Sequence, residues 1–137
     1  MKFMDIDEML EVTEAGQEAR DGLCRSMAPL QGGRPAPWLI DAVEKHRRNC
    51  HQVRRGAVAI GVFFWWYSAS NKTLVVNAAV SLVKGQDVCS DMFAAIEALA
   101  RMHGALEVEF QTQRRGLVEK TKALGYVAHS VVMTKIL

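Results

Sequence analysis

The stretch that most constrains the fold is the last third of the chain, residues 87–137, where the hydrophobic pattern changes period along the sequence. An amphipathic segment, Asp87–His103, has apolar residues at helical spacing and is followed by an alternating run, Leu106–Thr112. A short basic helical segment then ends at Leu124-Gly125-Tyr126, and a β-branched run closes the sequence. This order predicts helix, strand, helix and strand.

The middle of the chain predicts the strands that precede this pattern. Gln52–Arg55 is typical of a strand that ends in a turn, and Ala57–Tyr67 is rich enough in Val, Ile, Phe and Trp for a central strand buried on both faces. Ser68–Lys72 supplies a hairpin loop, and Thr73–Val83 is a second long strand. Because a helix separates Thr73–Val83 from Leu106–Thr112, a right-handed crossover predicts that these two strands are parallel neighbours.

Two helices are expected before the strands. The first has its apolar residues at helical spacing, with Asp5 or Asp7 as its cap: Ile6, Met9, Leu10, Thr13 and Gln17. Pro29–Pro37 holds all three prolines and reads as a loop, after which Pro37 suits the first turn of a second helix. The predicted fold class is α/β or α+β with a mixed sheet, in a single domain over residues 1–137: N-terminal helices, antiparallel strands, then β-α-β-α-β.

The same patterns predict which side chains form the core. The alternation after residue 105 places Leu106, Val108 and Phe110 on one strand face and Glu107, Glu109 and Gln111 on the other. The residues expected to be mostly buried are Phe63, Trp65, Phe93, Ile96, Leu99, Leu106, Val108 and Tyr126.

Charge gives little indication of a partner. The formal net charge of +2 is too small to indicate nucleic-acid binding by itself, although residues 1–26 carry seven acids against three bases. The densest basic group is Lys45, Arg47, Arg48, Arg54 and Arg55. Such a group suits phosphate or an acidic partner, or it forms a solvated face.

The cysteines and the apolar runs bound the cellular setting. Three cysteines (Cys24, Cys50 and Cys89) lie far apart without a CxxC motif, and the histidines match no zinc spacing, so free thiols and no metal site are expected. The acidic start, Met1–Glu18, differs from a signal peptide, and Ala57–Tyr67 is too short to span a bilayer. These features are typical of a cytoplasmic protein.

The loop between the second long strand and the next helix carries a family resemblance. It reads Lys84-Gly85-Gln86-Asp87-Val88-Cys89. Together with the order of elements over residues 50–137, it resembles the loop of the GNAT (Gcn5-related N-acetyltransferase) superfamily, in which R/Q-x-x-G-x-G/A holds the pyrophosphate of acyl-CoA. Asp87 and Cys89 stand where that family has glycines.

The resemblance implies a cofactor site whose charge is altered. If CoA binds, the implied residues are Leu82, Lys84, Gly85, Val88, Cys89 and Ser90. A carboxylate at Asp87 would oppose the pyrophosphate, which weakens binding. The alternative is that Asp87 or Ser90 simply caps the helix.

The second landmark of the family, a catalytic tyrosine on the last helix, is also altered. The family pattern Tyr-x-x-x-Gly-Phe becomes Thr121-Lys122-Ala123-Leu124-Gly125-Tyr126. Thr121 cannot replace a phenol, because its hydroxyl does not ionise in the useful range. Tyr126 is expected to pack in the core. Glu107 and Glu109 are weak candidates for a general base, or they lie on a solvated strand face.

Within the superfamily, residues 104–137 are most similar to short GNAT-like proteins encoded among the virion genes of tailed phages. The shared passage is Arg114-Arg115-Gly116, Gly125-Tyr126 and Val131-Val132-Met133-Thr134-Lys135. The resemblance implies a non-catalytic binding or structural component, associated with a virion or its assembly and located in the host cytoplasm or virion. Its expected partners are proteins, either other virion proteins or further copies of itself, and no cofactor is expected. The alternative is a CoA-dependent N-acyltransferase that uses acetyl-CoA on an amine. Nucleic-acid binding is the least favoured.

Overall fold

A computed structural model describes residues 2–4, 9–27, 37–112, 115–129, 133 and 135–137. In these residues, six strands and four α-helices follow the order β-β-α-α-β-β-β-α-β-α, with one 3₁₀ turn at Arg47–Asn49 before the third strand. The strands are β1 (Lys2–Met4), β2 (Met9–Glu14), β3 (Cys50–Arg55), β4 (Val58–Ser68), β5 (Thr73–Ser81) and β6 (Glu107–Phe110). The helices are α1 (Gln17–Met27), α2 (Pro37–Lys45), α3 (Cys89–Met102) and α4 (Arg115–Ala123).

All six strands form one mixed sheet in sequence order. The pairs from β1 to β5 are antiparallel, whereas β5 and β6 are parallel, with a register from Thr73 opposite Glu107 to Val76 opposite Phe110. Helix α3 joins these two parallel strands. The predicted crossover and the mixed-sheet fold class are therefore confirmed.

The prediction of a helix at residues 6–17 is wrong from Met9 onward. Residues Met9–Glu14 form strand β2, which pairs with β3, and α1 begins only at Gln17. Leu10 and Val12 alternate into the core once β3 lies beside them, and Val12 is not among the residues expected at helical spacing. The proposed caps Asp5 and Asp7 lie outside the described residues.

The remaining element predictions differ from the structure mainly at their ends. Helix α2 begins at Pro37 as expected, and the turns after α3 and α4 place Gly104 and Gly125 at φ +78° and +97°. Most of the Pro29–Pro37 loop lies outside the described residues, as does part of the closing β-branched run. In that run the described residues 133 and 135–137 belong to no strand.

Two apolar cores cover the two faces of the sheet. Phe63 and Trp65 point to the α3 side, while Val62 and Phe64 point to the side of α1 and α2, as alternation in a doubly buried strand requires. Burial is confirmed for Phe63, Trp65, Phe93, Ile96 and Leu99. Val108 and Tyr126, which were also predicted to be buried, are half-buried.

Leu106 contradicts the predicted core, because 77% of its surface is exposed. It precedes β6 and lies beyond the last turn of α3, where Met102 is also exposed at 61%. No described helix covers this end of the sheet, so the apolar face of β6 begins at Val108.

Helix α3 packs directly on β4 at Gly61. A Cβ atom at this position would overlap the sulfur of Met92, so any larger residue requires the Met92 side chain to shift. The Arg55–Asp91 ion pair ties the end of β3 to the same turn of α3. Together these contacts fix where the N-terminus of α3 lies.

We predict that Gly61→Ala lowers the free energy of unfolding by about 1–3 kcal/mol, because the added methyl group overpacks the contact with Met92. The control is Gly116→Ala in α4, where nothing lies within 4 Å of an added Cβ. It should be neutral or stabilise the protein by up to about 1 kcal/mol through helix propensity. Urea unfolding measures both, and equal effects would contradict the packing of α3 on Gly61.

Leu99 and Leu106 provide a matched pair for the core assignment. Leu99→Ala should cost about 2–5 kcal/mol, because the side chain is buried and leaves a cavity. Leu106→Ala should change stability by less than about 0.5 kcal/mol, as expected of a surface substitution. Thermal and urea unfolding of the two variants tests this prediction. A larger loss of unfolding free energy in Leu106→Ala would mean that Leu106 belongs to the core.

One histidine is held neutral inside the sheet. The indole Nε1 of Trp65 donates a hydrogen bond to Nδ1 of His51 over 2.9 Å, and His103 packs edge-on against the same indole. Burial lowers the pKa of His51 from 6.5 to about 4, with an opposing contribution from Glu14. Protonation would remove the acceptor that Trp65 uses.

Stability should therefore fall as the pH falls from 7 to 5. In the unfolded chain His51 takes up a proton near pH 6.5, whereas in the folded chain its ring stays neutral down to about pH 4. Since the ring is only partly buried, we expect a loss of about 1–2 kcal/mol over this range. Urea unfolding followed by tryptophan fluorescence checks it, and His51→Gln should abolish most of the pH dependence. An unchanged slope in that variant would assign the effect to other groups.

Candidate functional site

A β-bulge lies in β5 near the point where its pairing with β6 ends. Along β5, Val76 lies opposite Trp65 and Ala78 lies opposite Phe64, so Asn77 between them has no partner on β4. A bulge of this kind bends its strand. The pairing of β5 with β6 ends at the same point, with Val76 opposite Phe110. Beyond it the two strands are no longer paired.

A cleft lies where this pairing ends, at the carboxyl end of the paired segment, and open sheets with crossover helices commonly bind ligands at such ends. The cleft has a volume of about 190 Å³ and is lined by Val75, Val76, Asn77, Glu109, Phe110 and Gln111. This is below the roughly 300–1,000 Å³ of sites that enclose a whole small molecule. The cleft therefore suits a narrow chain or a single side chain.

The sequence-predicted cofactor residues come together in the loop between β5 and α3, but several have structural roles. The backbone N–H of Leu82 donates to the carbonyl of Ile60, and the carbonyl of buried Val88 accepts the N–H of Met92. Gly85 adopts φ +72°, a conformation that favours glycine. Lys84, Gly85 and Ser90 are exposed, and Cys89 is half-buried.

Asp87 accepts one backbone N–H at the start of α3 and pairs with a lysine of α4. Its Oδ1 accepts the backbone N–H of Cys89 over 3.1 Å, and its Oδ2 lies 3.1 Å from the Nζ of Lys120 on α4. The Cys89 N–H and then Lys120 hold the pKa of this carboxyl below its ordinary value. The expectation that Asp87 or Ser90 caps the helix is met only in part, because Val88 lies at the N-cap without a capping side-chain bond, while Asp87, one residue earlier, accepts a single N–H of the first turn. Sequence reasoning had missed Lys120, which lies thirty-three residues away in the chain.

A diphosphate bound at this loop would compete with Asp87. A bound diphosphate would need backbone N–H groups and a nearby cation. The Cys89 N–H and Lys120 already serve a carboxylate of the protein, and further negative charge there would be repelled. The Cys89 N–H and Lys120 together form what we call the anion position, and a carboxylate of the protein already binds there.

The candidate proton donors on and after α4 are engaged elsewhere. Thr121 is buried, and its hydroxyl donates to the carbonyls of Leu117 and Val118 at 2.8 and 3.1 Å. The Tyr126 hydroxyl donates to Oε2 of Glu97 over 3.1 Å, and its ring packs on Phe93 and Phe110. Burial, and then Glu97, raise the pKa of Tyr126. Neither group is placed to protonate a leaving thiolate.

The two glutamates differ in position. Both Glu107 and Glu109 are exposed on β6, and the alternation with half-buried Val108 and Phe110 is confirmed. Glu109 lines the cleft, whereas Glu107 does not. Asn77 is a further cleft residue that sequence reasoning missed, since nothing in the alternating pattern of β5 marks the bulge.

The cysteines are all free, as expected, and they are poor nucleophiles. Burial raises the pKa of Cys24 and Cys89, and it raises the pKa of Cys50 to about 12. At neutral pH each is therefore a thiol and not the reactive thiolate. The described residues contain no cluster of three or more His, Cys, Asp or Glu side chains that could hold a metal ion.

The basic group does not act as one surface. Arg55 pairs with Asp91, Arg54 donates to the carbonyl of Ala57, and Arg47 pairs with Glu44. Lys45 and Arg48 are exposed beside a shallow bowl of about 300 Å³ formed by residues 44–49. Among the helices in the described part of the chain, none has the length and apolar character needed to cross a bilayer.

Comparison with known proteins identifies the fold. No protein-family model and no curated protein matches the sequence. Among solved structures, aminoglycoside N-acetyltransferase AAC(6')-Iy in complex with CoA is similar at a TM-score of 0.63 and 14% identity, over 98% of this chain and 99% of that chain. A transcriptional regulator from Bacillus halodurans C-125 matches at a TM-score of 0.65 and 15% identity, over 93% and 99%.

A third similar structure is the Bacillus subtilis acetyltransferase in complex with CoA, with a TM-score of 0.60 and 16% identity over 85% of this chain and 74% of that chain. Identities this low establish architecture and not activity. The similarity spans nearly the whole chain and includes the sheet and its crossover helix. The chain therefore has the fold of the GNAT acetyltransferases.

Proposed function

We propose that this protein uses the GNAT fold as a non-catalytic binding or structural scaffold. The observation that carries the proposal is the position of Asp87, whose carboxylate bridges the N-terminus of α3 and Lys120. In the resemblance drawn from the sequence, this is where the family binds the pyrophosphate of acyl-CoA. The protein's own anion occupies it instead.

The energetics favour the internal anion over a ligand. A bound diphosphate would have to displace Asp87 from both partners and leave its carboxylate beside further negative charge. The side chain of Cys89 adds bulk where a glycine would let the backbone approach. Both effects weaken acyl-CoA binding.

The groups near the cleft also support a role without acyl transfer. Thr121 and Tyr126 are committed to other acceptors, and the raised pKa of Tyr126 makes its proton harder to release. The raised pKa of Cys89 keeps that thiol protonated. Among the residues that line the cleft, the ionisable side chain is Glu109, an exposed carboxylate that could equally bind a cationic partner.

The partners in this proposal are other proteins, in a virion or during its assembly, with the host cytoplasm or the virion as the location. This part rests on the sequence pattern of residues 104–137 and on no structural likeness. Nucleic acid is not a proposed partner, since the arginines that dominate the basic group serve contacts within the fold.

The cleft favours a second candidate, a CoA-dependent N-acyltransferase acting on an amine. The pairing of β5 with β6 ends beside the bulge at Asn77, and the cleft of about 190 Å³ there could admit the narrow arm of acetyl-CoA. In that case Glu109 would accept the proton of the amine. The diphosphate would have to be held by donors other than the Cys89 N–H and Lys120.

Calorimetric titration with acetyl-CoA separates the two candidates. We predict no binding by the wild-type protein at tens of micromolar ligand. Asp87→Gly combined with Cys89→Gly should raise the affinity or leave it unchanged, because the competing carboxylate is removed and Lys120 is released. The matched control is Glu119→Gln, which removes an exposed carboxylate from α4 near Lys120 without touching the loop.

The opposite pattern would overturn the proposal. Tight binding by the wild-type protein that the double substitution abolishes would mean that Asp87 and Cys89 belong to a working site. An equal gain in the Glu119→Gln control would assign the effect to overall charge and not to the loop.

A further inference from the structure

The end of α2 forms a basic surface that the acyl-CoA loop and the cleft do not involve. Residues 44–49 line a shallow bowl of about 300 Å³, in which three lysine and arginine side chains outnumber one carboxylate. That carboxylate belongs to Glu44, which lies 2.9 Å from Arg47 and 3.3 Å from buried Arg20. Because Glu44 is already neutralised within the fold, the bowl keeps a positive charge.

Two of the cations at the bowl are available to a ligand. Lys45 and Arg48 are exposed, and neither forms an ion pair or a side-chain hydrogen bond within the part of the chain that the structure describes. Lys45 is the last residue of α2, and Arg48 lies in the 3₁₀ turn that follows. The chain reversal between α2 and β3 therefore brings two unpaired positive charges to one bowl.

An exposed tryptophan extends this surface. Trp66 on β4 is 38% exposed, although Phe64 and Trp65, the two residues before it, are buried. Its ring packs edge-on against His46, which lines the bowl, with ring centroids 4.7 Å apart. We call Lys45, His46, Arg48 and Trp66 the α2-end surface. Aromatic and arginine side chains are enriched at the centre of protein interfaces.

Charge complementarity indicates an acidic protein segment as the partner of the α2-end surface. The guanidinium of Arg48 can donate two N–H groups to one carboxylate, and Lys45 supplies a second charge. Trp66 offers apolar area beside them. Nucleic acid fits less well, because its backbone requires a run of cations and Glu44 already occupies Arg47. A small anion would stay largely exposed in a shallow bowl, whereas small-molecule sites bury most of their ligand.

We propose that the α2-end surface binds a protein segment that carries carboxylates beside an apolar side chain. The carboxylates pair with Lys45 and Arg48, and the apolar side chain packs on the exposed part of Trp66. The choice of a protein partner rests on the proposed scaffold function, and the surface defines the chemistry of that partner. Its test involves no acetyl-CoA, so either proposal can fail without the other.

Nuclear magnetic resonance of the indole N–H groups tests the proposal. The probe is a short peptide of glutamates around one leucine, and its counterpart has lysines in place of the glutamates. The indole of Trp66 should shift saturably with the acidic probe, with a Kd below about 1 mM at low salt. Trp38, which is 57% exposed, and buried Trp65 should not shift. The lysine counterpart should shift none of the three.

Charge reversal tests which residues bind the probe. Lys45→Glu and Arg48→Glu should each weaken binding by about fivefold or more, because an attraction becomes a repulsion. The matched control is Lys122→Glu, which makes the same change of charge in the last turn of α4 and should change the Kd by less than about twofold. Circular dichroism checks that every variant folds.

The contribution of Trp66 is tested by a second peptide that contains glutamates alone. The wild-type protein should bind the probe with leucine more tightly than this peptide, and Trp66→Ala should remove the difference. Should Trp66→Ala not fold, the comparison of the two peptides on the wild-type protein still tests the apolar contact.

Four outcomes would overturn the proposal. A Trp66 signal that ignores the acidic probe would mean that the surface does not bind it. An equal loss in Lys122→Glu would assign binding to overall charge, and equal affinity of the wild-type protein for both acidic peptides would exclude the apolar contact. Tighter binding of single-stranded oligothymidylate at the same residues would identify nucleic acid as the partner instead.

Discussion

The close approach of α3 to the sheet is the constraint on which the rest of the site depends. Gly61 leaves room for Met92 against β4, and the Arg55–Asp91 pair holds the same turn from the end of β3. With the first turn of α3 fixed, the loop from β5 places Asp87 over the helix N-terminus and within reach of Lys120 on α4. The anion position is thus a consequence of core packing.

The fold of the GNAT acetyltransferases and an aspartate at the start of α3 therefore coexist in one molecule. The bulge at Asn77, the end of the pairing between β5 and β6 and the crossover helix are features of the backbone around the apolar core. The charge at the start of α3 depends on one side chain. The Asp87 carboxylate supplies negative charge at the N-terminal end of α3, where the helix dipole favours it.

The sequence predicted those parts of the fold in which local pattern and tertiary contact agree. The crossover helix and its two parallel strands have long, unambiguous periods, whereas Met9 to Thr13 fits helix and strand alike until β3 is placed beside it. Leu106 was misassigned because alternation does not show where a covering helix ends. Asn77 and Lys120 had no local signal, because a bulge and a long-range ion pair exist only in the folded chain.

The central claim, that a carboxylate of the protein holds the anion position, is most directly tested by nuclear magnetic resonance of the Cys89 amide. Its chemical shift should follow the protonation of Asp87, with a pKa below the ordinary aspartate value, and should not move when acetyl-CoA is added at neutral pH. A Cys89 amide that ignores the titration of Asp87 but shifts saturably with acetyl-CoA would contradict the account.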